Sequence, residues 1–157
     1  MFEETQAKYR TDKENEVVEI IELKQVRVGR TDWETIMSSQ QLGMELIDEI
    51  GSNRQETFMI FGLNTRNAIN FLAKVFVVGA NNVAIESRQI FQKLLLANCK
   101  SFIIAHNHPS GDVSPSRKDL KVARDLKKCG ETLGIELLDS LIISKYTYFS
   151  MAEKELL

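Results

Sequence analysis

The chain has 157 residues, of which 43% are hydrophobic, 27% charged and 8% aromatic; these proportions are typical of a globular protein and exclude a disordered or fibrous one. Its 20 Lys and Arg residues against 22 Asp and Glu residues leave a formal net charge of −2, which argues against strong nucleic-acid binding by phosphate neutralisation. A chain of this length can form one domain with its own core.

Cysteine usage and hydropathy indicate a cytoplasmic protein. Cys99 and Cys129 form no CxxC pair, so we expect neither a disulfide framework nor a thiolate metal site. The segment Met1–Glu4 lacks the basic and apolar regions of a signal peptide, and no apolar run approaches the ~20 residues of a membrane span. We therefore expect no membrane partner, while the sequence leaves the oligomeric state open.

The predicted elements begin after a charged N-terminal segment. Residues 1–37 are predicted to comprise a solvated tail followed by an extended arm rich in β-branched residues. Ser38-x-x-Gln41 fits a capping box and predicts the start of an amphipathic helix, with Thr31-x-x-Glu34 as a rival start. We assign residues 38–157 to a single domain, since they contain no linker and no internal repeat.

The rest of the chain alternates between short apolar runs and helical stripes. Two apolar runs around the turn-forming Asn64–Asn67 predict a buried hairpin over residues 56–78. Further along the chain, the pattern predicts a helix at 87–98, a strand at 101–106, a helix at 116–133, a closing hairpin and a short terminal helix capped by Ser150. We therefore predict an α/β domain with a mixed central sheet flanked by helices.

The only two histidines of the chain, His106 and His108, stand where an apolar strand gives way to a loop that holds both prolines. Residues i and i+2 of an extended chain point to the same side, so both imidazoles can face one ion. Asp119, on the first turn of the following helix, can add a carboxylate oxygen. Three protein ligands and one open position are typical of catalytic zinc, so the sequence predicts one zinc ion per chain.

Each of these residues also has an explanation that needs no metal. A histidine is more often a surface or core residue than a ligand, and Ser116-x-x-Asp119 fits a helix capping box. The cap and the metal site are compatible, because a metal needs only one carboxylate oxygen. Asp112 lies off the ligand positions, and an Asx-turn or a surface charge is the expected role. The string His-Asn-His resembles the name of the HNH nucleases, whose named residues are spread over a ββα element, so we discount that function.

The complete spacing is more specific than its parts. His106-x-His108, then seven residues, Ser116, two residues and Asp119 match the JAMM (MPN-plus, JAB) metalloprotease signature at every spaced position. The string Ala105–Asp112 resembles the RadC branch of that superfamily, as do Leu63–Asn67 and Leu137–Asp139. The resemblance implies a JAB/MPN-like, cytidine-deaminase-like fold, and zinc-dependent hydrolysis of a peptide or isopeptide bond in a peptide or protein substrate.

The resemblance also implies roles for two further residues. JAMM enzymes use a glutamate on an early strand to take a proton from the attacking water. Glu56 is our candidate, since it heads a predicted strand two residues before a phenylalanine, as in the RadC pattern; an ordinary strand-end carboxylate is the alternative, and Glu86 is a more distant candidate. Ser116 would stabilise the oxyanion, with helix capping alone as the alternative.

One departure from the RadC pattern bears on activity. RadC proteins usually have a histidine after Leu-Leu-Asp, whereas Asp139 is followed here by Ser140. A group that could orient a ligand is thereby lost, so activity could be lower than in relatives. RadC proteins are associated with DNA repair by name. The alternative function is therefore a non-catalytic, zinc-stabilised accessory module in DNA repair or mobile-element biology, although no nucleic-acid-binding motif is present.

Overall fold

A computed structural model of the chain describes residues 35–76 and 86–157. The predicted tail, most of the extended arm and the rival helix start fall at residues 1–34 and lie outside the described residues. The end of the predicted hairpin, at residues 77–78, also lies outside them. In the described residues, the elements in chain order are α1 (Ser39–Ile50), β1 (Thr57–Leu63), β2 (Ile69–Phe76), α2 (Ser87–Leu96), β3 (Ser101–Asn107), α3 (Arg117–Leu133), β4 (Glu136–Ile143) and β5 (Tyr148–Ser150).

The described strands form one mixed sheet in the order β2-β1-β3-β4-β5. β3 and β4 are parallel, and the other neighbouring pairs are antiparallel. The predicted hairpin is present as β1 and β2, and the closing hairpin as β4 and β5. The prediction of an α/β domain with a mixed sheet is therefore confirmed.

Helices cover both faces of the sheet and divide the core into two layers. One layer lies between the sheet and α1, where the buried helix residues are Leu42, Leu46 and Ile50. The other layer lies between the sheet and the pair α2 and α3, whose buried residues are Ile90, Phe91, Leu94, Ala123 and Leu126. Adjacent residues of a strand point to opposite faces of the sheet. Because helices cover both faces, every position of β1 and β3 is buried. No helix in the two described ranges is long and apolar enough to cross a membrane.

The ends of α1 follow the predicted capping chemistry. Ser38 Oγ accepts a hydrogen bond from Gln41 N at 3.1 Å, which satisfies one of the free amides of the first turn. At the other end, a Cβ on Gly51 would lie 2.4 Å from the carbonyl oxygen of Ser144. Only glycine allows this close approach between the helix end and the β4–β5 turn.

Two helix predictions differ from the structure, namely the end of α2 and the helix predicted at the C-terminus. α2 ends at Leu96, two residues before the predicted end, and Asn98 adopts the left-handed conformation with φ 53°. The predicted terminal helix is wrong, because residues 151–155 form turns. Ser150 Oγ does accept a hydrogen bond from Glu153 N at 3.0 Å. However, Glu155 has a φ of 55°, and left-handed backbone cannot continue a right-handed helix.

A buried carboxylate ties α1 to the C-terminal hairpin. Asp139, on β4, is 2% exposed and accepts hydrogen bonds from the hydroxyls of Ser39 and Ser150, each at 2.6 Å. It also accepts from the backbone amides of Ser140 at 2.7 Å and Ala152 at 3.0 Å. Four donors satisfy the carboxylate, which is the condition for burying it.

Candidate metal centre

The three predicted ligand residues meet at one edge of the sheet. α3 connects the parallel strands β3 and β4, so the carboxyl end of β3 lies near the N-terminus of α3. The loop over residues 108–116 joins the two. The carboxyl ends of parallel strands are where α/β sheets commonly bind ligands. The topology therefore places His106, His108 and Asp119 at the edge where a site is expected.

Strand pairing orients both imidazoles to the same side. His106 pairs with Phe58 of β1, and their rings stack with centroids 6.3 Å apart. The amide of His108 donates to the carbonyl of Ile143 at 2.8 Å, so the chain stays extended for one residue beyond β3. As a result, the Nε2 atoms of His106 and His108 lie 3.0 Å apart.

The capping box of α3 brings the carboxylate to the histidines. Ser116 Oγ accepts from Asp119 N at 3.2 Å, and Asp119 Oδ2 accepts from Ser116 N at 2.8 Å. Asp119 Oδ1 also lies 3.2 Å from His106 Nε2, and Oδ2 lies 3.5 Å from His108 Nε2. The predicted capping box is therefore present, and it leaves the carboxylate facing both imidazoles.

The spacing of these atoms fits a zinc ion. One ligand atom from each of the three residues lies within 4.8 Å of the others. Zinc bonds of 2.0–2.1 Å in a tetrahedron place neighbouring ligand atoms roughly 3.3 Å apart. The distance of 3.0 Å between the two Nε2 atoms and the distances of 3.2 and 3.5 Å from them to the two carboxylate oxygens, Oδ1 and Oδ2, bracket that value. Within residues 35–76 and 86–157 the cluster has no fourth His, Cys, Asp or Glu, which is the ligand count of a catalytic site.

The protonation of the cluster reflects the attraction between its members. Burial by itself would raise the pKa of Asp119, but hydrogen bonds from His106, His108 and Ser116 outweigh it and hold that pKa well below its usual range. The hydrogen bond to Asp119 raises the pKa of His108, against the opposing effect of burial. A bound metal cation would replace the protons that these groups share, since metal ligands bind deprotonated.

A backbone carbonyl fixes the orientation of His108. Its Nδ1 donates to the carbonyl oxygen of Asp112 at 2.7 Å, which turns Nε2 toward the other two residues. The side chain of Asp112 accepts from Ser114 N at 2.8 Å. The Asx-turn predicted for Asp112 is therefore confirmed, and this turn holds the carbonyl in place.

Glu56, the predicted proton acceptor, is not one of the three residues of the cluster. It is the residue before β1. Phe58 of β1 pairs with His106 in an antiparallel register. If that register is continued by two residues, Glu56 stands opposite His108. The negative charge of Glu56 also contributes to the raised pKa of His108. Glu86 is exposed at the start of α2 and accepts a hydrogen bond from the side chain of Gln89 at 3.3 Å. Of these two carboxylates, Glu56 is the one whose charge acts on a histidine of the cluster.

Asn107, which separates the two histidines, is not among the site residues predicted from the sequence. Its side chain is fully buried; Oδ1 accepts from Thr57 N at 2.7 Å, and Nδ2 donates to the carbonyl of Asn53 at 3.1 Å. Alternation along the strand provides a signal, because a residue between two same-side ligands points into the opposite layer. A buried amide there must find hydrogen-bond partners.

Ser140, which stands where the RadC pattern has a histidine, lies on the same face of the sheet as the cluster. It pairs with Ile104 of β3, two residues before His106, and it is buried. Since residues i and i+2 of a strand share a face, a longer side chain at this position would extend beneath His106. The departure noted in the sequence therefore concerns the support of a histidine of the cluster.

Comparisons with known proteins show the family of the chain. Residues 36–156 match the family model described as a RadC-like JAB domain. A UPF0758 protein of Clostridium perfringens is 35% identical over 146 residues, which cover 92% of this chain and 64% of the relative. A UPF0758 protein of Clostridium kluyveri is 40% identical over 122 residues, or 78% of this chain and 54% of the relative. The chain thus spans roughly half to two thirds of the length of these two proteins.

Proposed function

The chain belongs to the RadC-like JAB domain family, and from this premise we propose that it is a zinc-dependent hydrolase of peptide or isopeptide bonds. The observation that carries the proposal is the cluster of His106, His108 and Asp119. The two imidazole Nε2 atoms lie 3.0 Å apart, and the carboxylate oxygens Oδ1 and Oδ2 lie 3.2 and 3.5 Å from one imidazole each. JAMM metalloproteases, which the motif resembles, use this ligand set. The carboxylate of Glu56 beside His108 adds a proton acceptor.

A zinc ion fits this ligand set. Two imidazoles and one carboxylate with an open position form catalytic zinc sites in known zinc peptidases. When bound, zinc lowers the pKa of a coordinated water and polarises a carbonyl group. The side chain of His106 is 5% exposed and that of His108 is 20% exposed, so the cluster opens to solvent on the side of His108. A peptide or protein substrate would approach from that side.

The chain's own residues would move the proton and stabilise the developing charge. The Glu56 carboxylate takes a proton from the attacking water and returns it to the leaving amine. The oxygen of Ser116 already accepts a hydrogen bond from Asp119 N, so its hydroxyl proton remains available as a donor. It can therefore donate to the oxyanion that forms as the carbonyl is attacked. No covalent enzyme intermediate is needed.

A library screen with a matched variant tests the proposal. Zinc-loaded protein is incubated with peptide and isopeptide-linked libraries, and products are identified by mass spectrometry. Glu56→Gln keeps the size of the side chain and removes its basicity, so hydrolysis should fall by about 10²–10⁴-fold at equal zinc content. Glu49→Gln is the control, because Glu49 pairs with Lys74 at 2.9 Å and belongs to α1, the helix of the opposite layer.

Two results would contradict the proposal. A fully active Glu56→Gln variant would show that Glu56 is not the general base, and Glu86→Gln would be tested next. If the zinc-loaded wild-type protein cleaves neither library, the non-catalytic accessory module becomes the better account of the cluster.

A further inference from the structure

We propose that Asn107 is a positioning residue that holds the Glu56 carboxylate beside the His106–His108–Asp119 cluster. It does so by clamping the chain segment 53–57, which carries Glu56. This inference rests on the proposed function, in which Glu56 is the general base. Asn107 itself does not face the cluster, so its effect on catalysis would pass through Glu56.

The clamp consists of two hydrogen bonds from one side chain. Asn107 Oδ1 accepts from Thr57 N at 2.7 Å, and Asn107 Nδ2 donates to the carbonyl of Asn53 at 3.1 Å. Both Asn107 and Thr57 are fully buried, so the bond between them is shielded from competition with water, while the bond to Asn53 is partly buried. One amide therefore holds both ends of a five-residue segment.

The two bonds need a donor and an acceptor on one side chain, and an amide supplies them on two separate atoms. The backbone N–H of Thr57 can only donate, and the carbonyl of Asn53 can only accept, so the partner must offer one acceptor and one donor. This requirement also sets the orientation of the Asn107 amide. An aspartate would keep the bond to Thr57 but would place a carboxylate oxygen against the Asn53 carbonyl. An alanine would lose both bonds.

Further hydrogen bonds stiffen the clamped segment. The side-chain amide of Asn53 donates to Thr57 Oγ1 at 3.1 Å, and Thr57 Oγ1 donates to the carbonyl of Gln55 at 3.2 Å. Glu56 is thus held between a fixed Asn53 and a fixed Thr57. The position of its carboxylate matters, since a displacement of about 1 Å can cost about 10²-fold in rate.

The clamp joins the proposed base to the proposed ligands. Asn107 is covalently flanked by His106 and His108, so the strand end that carries the two imidazoles also sets the backbone of Glu56. The ligands and the base therefore share one rigid support. Loss of the amide should release the base while leaving the ligands in place.

A double-mutant cycle tests whether Asn107 acts through Glu56. The variants are Asn107→Ala, Glu56→Gln and the double variant, each zinc-loaded and assayed on the peptide or isopeptide conjugate found by the library screen. Asn107→Ala should lower kcat by about 10²-fold with little change in KM and with zinc retained. In the Glu56→Gln background the same change should alter kcat by no more than about twofold, because the group on which it acts is already inactive.

Asn64→Ala is the matched control for this cycle. Asn64 Oδ1 also accepts two backbone hydrogen bonds, from Arg66 N at 2.8 Å and Ala68 N at 3.1 Å, but it follows the opposite end of β1. Its loss should leave kcat unchanged. Asn107→Ser provides a second variant if Asn107→Ala does not fold, because a hydroxyl can keep one of the two bonds.

Amide hydrogen exchange on the zinc-loaded protein tests the clamp without a substrate. Exchange of the Thr57 amide should be at least about tenfold faster in Asn107→Ala or Asn107→Ser and unchanged in Glu56→Gln. Unchanged Thr57 exchange in the Asn107 variants would overturn the clamp, and so would rate losses that simply multiply in the double variant. Loss of zinc from both Asn107 variants would overturn it too. A fully active Glu56→Gln variant with faster Thr57 exchange in Asn107→Ala would instead locate the failure in the base assignment.

Discussion

The Nδ1 atom of His108 lies 2.7 Å from the carbonyl oxygen of Asp112. A carbonyl oxygen can only accept a hydrogen bond, so Nδ1 carries the proton and Nε2 of the neutral ring is left with its lone pair. That lone pair is directed at the cluster, where His106 Nε2 lies 3.0 Å away. One backbone oxygen thus selects the tautomer that can bind a metal.

The first prediction is one zinc per chain, held through this tautomer. His106→Ala and Asp119→Ala should each lose most of the zinc, since two remaining ligands hold a divalent ion poorly. Metal analysis of the purified variants measures this. Asp112→Asn is the control and should keep full zinc, because an asparagine oxygen can still accept from Ser114 N. Full zinc in a double variant, His106→Ala with His108→Ala, would refute the proposed ligands.

The parts of the site that follow local rules were predictable from the sequence. The same-side placement of His106 and His108 depends on the period of an extended chain. The approach of Asp119 depends on a capping box of four residues, Ser116 to Asp119. Both rules act within a few residues. The resemblance to the JAMM motif depends only on the spacing of its residues along the chain.

The parts that depend on distant pairing could not be derived in this way. The bond from Thr57 to Asn107 spans 50 residues, and that from Ser39 to Asp139 spans 100 residues. Which strands are neighbours, and in which register, decides both contacts. In the sequence, Asp139 stands out only as part of the RadC resemblance. Asn107 stands out only as the residue between the two histidines.

The second prediction concerns removal of the metal. Both hydrophobic layers are built from residues outside the cluster, and the capping box of α3 needs no ion. Chelation should therefore abolish hydrolysis while the protein still melts cooperatively, with a melting temperature lower by about 5–10 °C. Circular dichroism during a thermal scan checks this. A chelated protein that is unfolded at room temperature would make the zinc structural.

The third prediction separates the enzyme from the accessory module. With a net charge of −2, the chain should neutralise few phosphates and therefore bind duplex DNA weakly. Since such weak binding is electrostatic, added salt should abolish it. Fluorescence anisotropy at two salt concentrations measures the effect. Tight and salt-resistant binding would support a DNA-associated module.

The last prediction concerns Ser116, whose hydroxyl has two separable roles. Its oxygen caps α3 by accepting from Asp119 N at 3.2 Å, while its proton is the proposed oxyanion donor. Replacing a capping serine by alanine lowers the unfolding free energy by about 1 kcal/mol. Replacement by glycine lowers it by roughly a few tenths of a kcal/mol, because glycine also suits the N-cap position. Stability and rate should therefore separate across the series Ser116→Ala, Ser116→Gly and Ser116→Thr.

If Ser116 stabilises the oxyanion, the alanine and glycine variants should both lose about 10²–10³-fold in kcat, because both lack the donor. Only the alanine variant should also lose about 1 kcal/mol of unfolding free energy. The threonine variant keeps a hydroxyl and should retain most of both properties. Denaturant unfolding and kcat on the same zinc-loaded preparations provide the comparison. A glycine variant with wild-type kcat would reduce Ser116 to a helix cap, and the oxyanion donor would then have to be sought elsewhere.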